Sequence, residues 1–285
     1  MSKTNVKKDD LSRRKFLMSA GTLAFGAVGF SALAGCGQTD KPAAKAPEEA
    51  VTVTYPWPYK KLDVETARKK GHEGYYEGAC CYGVFNAIIS GLGKEVGAPY
   101  TTFPTKMFQY GEGGIAGWAT ICGALNGAAA AICLVAGEEG WEDLTNELMA
   151  WYEKTPFPSD ISNKYAQEKA FLVKEMKSDK VLAQSVANST LCHISVTEWC
   201  KKAGLKAFSK ERSERCGRLS GDVAAFTVDI LNKHFDKTFV AAAKLSDEVK
   251  ACRSCHDKGG TVENARGKMD CMPCHGDPHK KQPKS

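Results

Sequence analysis

From about Tyr76 to Arg218 apolar residues return every three or four positions, and strict alternation is scarce, so the pattern predicts helices rather than strands. The clearest face lies in residues 138–154, where Trp141, Leu144, Leu148 and Trp151 follow at spacings of 3, 4 and 3; Pro156 and Pro158 then supply the stop. Further helices are expected over residues 80–94, 114–135, 165–176, 180–187, 194–203 and 214–235. The expected class is all-α: a helical, bundle-like domain followed by a short, irregular C-terminal segment. Residues 113–137 form an uncharged run of 25 residues, long enough to span a bilayer. Fourteen of them are Gly or Ala, so the apolar drive is weak. A central helix of small residues, open to close neighbours or a cofactor, is the preferred reading.

A second uncharged run, residues 16–38, follows a twin arginine in Ser12-Arg13-Arg14-Lys15. A basic start and an apolar stretch read as a twin-arginine export signal, in preference to a membrane anchor. The run contains Leu33-Ala34-Gly35-Cys36, which resembles a bacterial lipobox. Cleavage before Cys36 would leave its thiol to carry a lipid, and several acyl chains give stable attachment to a membrane surface. The expected organisation is a signal over residues 1–35, a tether over 36–55, a cysteine-rich helical domain over 56–245 and a metal-binding tail over 246–285. The twin-arginine route exports folded chains, which suits a cofactor acquired before export.

The net charge of +6 comes mostly from that signal. Beyond residue 35 the chain has 33 basic against 31 acidic residues, which gives nucleic-acid binding little electrostatic support. Twelve cysteines are too many to be packing residues alone.

Two C-x-x-C-H sequences stand at the C-terminus: Cys252, Cys255 and His256, then Cys271, Cys274 and His275. In each, two thiols can add to haem vinyl groups while the histidine ligates iron. The 15 residues between the cysteine pairs also match a zinc ribbon. Haem is favoured because both pairs carry the histidine and the chain carries an export signal. The tail also has few large apolar residues of its own, and two haems would supply the buried surface it lacks. Four histidines remain for distal ligation, His72, His193, His234 and His279, with Met269 and Met272 as the methionine alternatives. Two distal histidines would favour electron transfer, whereas an open position would permit catalysis.

Seven thiols are left: Cys80, Cys81, Cys122, Cys133, Cys192, Cys200 and Cys216. Disulfides, buried free thiols and iron–sulfur ligands all remain open for them.

Five stretches resemble the split-Soret cytochrome c family. They are Gly78-Ala-Cys-Cys-Tyr-Gly-Val-Phe85, Gly111-Glu-Gly-Gly-Ile-Ala-Gly-Trp118, Cys122-Gly-Ala-Leu-Asn-Gly127, Leu191-Cys-His-Ile-Ser-Val-Thr-Glu-Trp-Cys200 and Glu214-Arg-Cys-Gly-Arg218. The block also resembles a wider family of redox-active proteins with scattered cysteines, which lack the haem sequences. The resemblance implies an α-helical domain with an iron–sulfur site, two closely stacked haems with bis-histidine ligation, and a homodimer that leaves room for a ligand from the second subunit. It points to Cys81, Cys122, Cys192 and Cys216 as cluster ligands, with Cys80 and Cys200 in reserve. It also favours His72 and His193 as distal haem ligands over His234 and His279. Electronic coupling between stacked haems would divide the Soret band.

Together these readings describe an exported, lipid-anchored electron carrier that passes electrons between redox partner proteins, a carrier being favoured over a catalyst. Residues 250–285 hold eight basic and four acidic residues, a local excess that could steer an acidic partner. A reductase with an open iron site and a zinc-stapled structural lipoprotein are the alternatives.

Overall fold

The computed structural model describes residues 54–171, 173–276 and 279. The expected signal, the lipid-bearing Cys36 and the tether up to residue 53 lie outside the described residues. Eight α-helices are described: α1 (Val64–Glu95), α2 (Gly123–Ala136), α3 (Trp141–Lys154), α4 (Asp160–Gln167), α5 (Cys192–Ala203), α6 (Lys210–Phe235), α7 (Asp247–His256) and α8 (Met272–His275). Two short 3₁₀ helices, Tyr100–Thr102 and Thr105–Gly111, stand between α1 and α2. Among the described residues there is no strand. Two isolated antiparallel bridges, Ile121 with Leu191 and Phe157 with Ser185, are the nearest approach to one. The fold is all-α.

Helix α1 starts at Asp63, whose carboxylate accepts the Thr66 N–H at 2.7 Å and satisfies one of the free donors of the first turn. The helix breaks at Gly78 and Ala79, the latter at φ +63°. Beyond the break, Cys81, Val84, Phe85, Ile88, Ile89 and Leu92 turn one face into the core. The two halves meet at Gly83, where a methyl group would sit 2.7 Å from Tyr75 N and 2.8 Å from Gly71 O. Helix α6 is the principal partner of α1 and is capped by Ser209, whose hydroxyl accepts from Arg212 N. It buries Leu219, Val223, Ala224, Val228 and Leu231, at the periodicity of a core-facing stripe.

The uncharged run is helical only in its second part, Gly123–Ala136. Residues 113–119 instead form a loop in which Gly113, Gly114, Ile115, Ala116, Gly117 and Ala119 all have positive φ. Closely spaced glycines make the helix costly and that loop accessible. No described helix is long and apolar enough to cross a membrane.

The helix expected over 165–176 ends at Gln167, and the one expected over 180–187 does not form. A buried guanidinium explains the second: Arg218 Nη1 donates to Lys180 O at 2.7 Å and Nη2 to Ser178 O at 2.6 Å. Ser185 and Phe157 exchange both backbone hydrogen bonds, holding the segment extended. Tertiary partners override local propensity here.

The C-terminal segment is capped at Ser246, whose hydroxyl accepts from Val249 N. Val249 is the one buried side chain among its described residues, in keeping with a segment that lacks a core of its own. Lys268 ties it to α3 through Glu142 at 2.9 Å and Asn146 at 3.0 Å, and Thr190 donates to Met269 Sδ at 3.0 Å.

Candidate functional site

Cys80, Cys122, Cys192 and Cys216 line a single cavity of about 490 Å³. Three of them stand at helix starts. Cys80 is the first residue after the break in α1, Cys122 is the N-cap of α2, and Cys192 is the first residue of α5. Helix N-termini carry partial positive charge and unpaired N–H groups, so the cavity is surrounded by ends that favour negative charge. Cys216 comes from the second turn of α6, beside Arg212 and Arg215. The loop 113–119 closes one side through Gly113, Ala116 and Gly117. Three non-glycine residues held at positive φ within five positions are costly, and such strain gathers at functional sites.

Burial raises the thiols of Cys80, Cys122 and Cys192 in the free protein. Cys80 is pushed well above the ordinary thiol range by burial and then by Cys122, Cys216 and Cys192. Cys192 is pushed up to about 12 by burial, with Cys122 and Cys216 adding to it. Cys122 is raised by burial, while Arg215 works in the other direction. Among the described residues no three His, Cys, Asp or Glu side chains stand at the spacing of a bound ion. The donor set nevertheless fits an iron–sulfur cluster: four thiols on one wall, helix N-termini around them, and buried positive charge beside them.

Of the four cysteines expected as ligands, the fold brings together Cys122, Cys192 and Cys216, and Cys80 stands with them in place of Cys81. The Cys81 side chain is fully buried against Gly111, where an added methyl would lie 2.5 Å from its Sγ. One residue of helix rotation, about 100°, separates the two thiols. Cys200 lies outside the cavity, near Arg212, Arg215 and Cys216, and Cys133 is exposed. Arg215, within the stretch Glu214-Arg-Cys-Gly-Arg218, also lines the cavity and carries no local spacing signal that marks it as a site residue.

The other expected site residues fall into two groups. Cys252, Cys255 and His256 end α7, and Cys271, Cys274 and His275 surround α8; all six are partly or fully exposed. The Cys271 thiol is raised by burial and then by its neighbour Cys252. His256 Nδ1 lies 2.7 Å from Asn264 Oδ1, a contact that orients the ring and leaves Nε2 for iron. His193 has the same disposition: it is exposed, and its Nδ1 lies 2.9 Å from Ala119 O. His72 is different. It is 3% exposed, packed on Phe171, with Nε2 2.9 Å from Glu214 Oε1 in an alignment too poor for a full hydrogen bond. His234 packs on Gly140 and is depressed by burial, and the His279 ring lies 6.2 Å from that of His256.

A second cavity, of about 720 Å³, opens between α3 and the C-terminal segment, lined in part by Val249, Lys268 and Met269. Ile121, Thr190 and Leu191 also face it, while their neighbours Cys122 and Cys192 face the thiol cavity. Backbone bonds from Cys122 N to Thr190 O at 2.9 Å and from Cys192 N to Thr120 O at 2.7 Å join the two segments. One bridged pair of backbones therefore forms the partition between the thiol cavity and this second cavity.

Comparison with known proteins agrees with this geometry. The model of a redox-active protein family described by the cysteine pattern C_GCAxxG_C_C matches residues 80–230. In this chain Cys122-Gly123-Ala124-Leu125-Asn126-Gly127 carries the central residues of that pattern with the first two exchanged. The chain is 38% identical over 277 residues to split-Soret cytochrome c from Desulfovibrio desulfuricans (strain ATCC 27774 / DSM 6949 / MB), across 93% of this chain and 95% of the relative. A solved structure of split-Soret cytochrome c from Desulfovibrio desulfuricans ATCC 27774, described as having a novel iron centre, is similar with a TM-score of 0.68. That match has 38% identity and covers 80% of this chain and 93% of that one.

Proposed function

The chain belongs to the split-Soret cytochrome c family, within the wider C_GCAxxG_C_C redox-active proteins, and from that premise we propose that it moves electrons through two c-type haems and one iron–sulfur cluster. The observation that carries the cluster is the convergence of Cys80, Cys122, Cys192 and Cys216 on one cavity rimmed by helix N-termini. Bound there, the haems and the cluster would supply one-electron chemistry in which no substrate bond changes.

The residues divide the work. Cys252 and Cys255 hold one haem with His256 as proximal ligand; Cys271 and Cys274 hold the other with His275. The nearness of Cys252 and Cys271 supports haems close enough to couple. His193 is the favoured distal ligand because its Nδ1 is already engaged and its ring is exposed. The Ile121–Leu191 bridge separates the thiol cavity from the cavity beside the C-terminal segment. Met107, Tyr110, Ile115 and Trp118 are exposed within one short segment, Trp118 by 81%, and supply apolar surface for a second copy of the chain. The twin arginine and Leu33-Ala34-Gly35-Cys36 support export of the folded protein and lipid attachment at the outer, periplasmic face of a membrane.

The test is a visible spectrum of purified, exported protein with haem, iron and acid-labile sulfide counted per chain. Two haems, a divided Soret band, and non-haem iron with sulfide are expected. Zinc without haem would establish the structural lipoprotein instead. Haem without non-haem iron would remove the cluster. Replacing Cys36 by Ser should release the protein from the membrane fraction with its spectrum unchanged.

A further inference from the structure

The thiol cavity contains a charge that no described residue balances. Arg215 is 1% exposed, lines the cavity and makes no ion pair among the described residues. Its Nη2 donates to Ser195 Oγ at 2.9 Å, and Ser195 Oγ in turn accepts from Tyr152 Oη at 3.0 Å, which fixes the guanidinium in place. Its Nε has no hydrogen-bond partner. The cavity's one carboxylate, Glu112, is exposed at the rim. The contrast with Arg218 is instructive. Three residues along the same helix, Arg218 is equally buried but has Glu214, Asn163 and two carbonyls as partners. Arg212, at the cavity's edge, is only half-buried; its Nε donates to Ala207 O and its Nη1 reaches Cys216 Sγ at 4.0 Å. A buried, uncompensated cation is strongly unfavourable unless an anion completes it.

We propose that Arg215 is the fixed counter-charge of the thiolate-bound iron centre and sets its reduction potential. This rests on the iron–sulfur reading of the cavity. On reduction the centre gains one electron from a haem or a reducing mediator, and no bond forms or breaks. The centre becomes one charge more negative. A guanidinium held beside it stabilises that reduced state more than the oxidised one and raises the potential. In a site of low dielectric the effect of one full charge is large. Arg215 acts on the iron through space, as a positioning and electrostatic residue.

The experiment compares wild type with Arg215→Met and Arg215→Lys, each as full-length haem-loaded protein, by mediated redox titration of the iron centre followed by electron paramagnetic resonance. In Arg215→Met the reduced-to-oxidised ratio at a fixed potential should fall at least tenfold, a midpoint about 59 mV lower for a one-electron couple. Haem content should be unchanged. Arg215→Lys keeps the charge and should recover most of the shift. Loss of iron in Arg215→Met with retention in Arg215→Lys also supports the proposal, because charge then decides whether the centre is held. Three outcomes overturn it: an unchanged midpoint in a loaded Arg215→Met protein, the same shift in both variants, or iron loss in both. A wild-type protein with haem but no iron–sulfur signal instead overturns the cluster reading itself, so the two failures are told apart.

Discussion

Cys80 and Cys81 are neighbours in the chain with different surroundings, and substituting each separates ligand from packing. Cys80→Ala should lose most of the non-haem iron and sulfide while keeping both haems. Cys81→Ala should keep the iron and cost stability, because Cys81 fills a fully buried position against Gly111. Iron analysis and urea unfolding of the two variants check this. The thiols also give the iron-free protein a pH signature. Cys192 is raised from 9.0 to about 12 and Cys81 likewise, both first by burial. A thiol raised on folding stays protonated in the native state while the unfolded chain ionises. Its stabilisation is therefore complete below pH 9 and is lost as pH climbs toward 12. Urea midpoints of iron-free protein should fall over that window, and replacing Cys81 by Ala should flatten the slope.

At the scale of elements, three helix starts and one loop build the site, and the break in α1 makes the arrangement possible. Without the turn at Gly78 and Ala79, Cys80 would continue a straight helix and not begin a new one. The break requires the two halves to touch at Gly83, where any side chain meets backbone that cannot swing away. Gly83→Ala should destabilise the protein by about 1–3 kcal/mol, the usual cost of overpacking. It should also weaken iron retention more than haem retention, because Cys80, three residues before this crossing, lines the thiol cavity. Thermal unfolding and the iron-to-haem ratio measure the two effects. Much at this scale was legible in the sequence. The 3.6-residue repeat predicted α3 and most of α5 and α6, because an apolar stripe and a cap are local properties. The extended segment around Ser178–Ser185 was not, because its carbonyls are drawn out by Arg218, some forty residues along the chain.

At the scale of the molecule, the proposed coupling of two haems would distinguish this protein from a single-haem carrier. Replacing Cys252 and Cys255 by Ala should leave one haem at Cys271 and Cys274. The two Soret components should then collapse into one band, because coupling needs both rings. A divided band in that variant would mean that the second ring comes from another copy of the chain, which sedimentation at the same concentration would reveal as a dimer. The tail itself should become less ordered without its haems. Val249 alone anchors it among buried side chains, and exposed tethers such as Lys268 to Glu142 contribute little.

The chain's class and the identity of its family could be read without coordinates, and its proposed haem-attachment sequences recognised, because each depends on local spacing. A thiol, two residues and a thiol followed by histidine is a complete chemical unit, and a helical stripe spans only a few turns. The arrangement of the thiol cavity was different. Which of two adjacent cysteines faces it depends on the kink in α1. That Cys80, Cys122, Cys192 and Cys216 meet at all depends on α1, α2, α5 and α6 packing together. The unbalanced charge of Arg215 appears only once burial has removed it from water and left it without a carboxylate. Sequence carries the inventory of donors and charges; burial and mutual distance, which set their chemistry, arise only on folding.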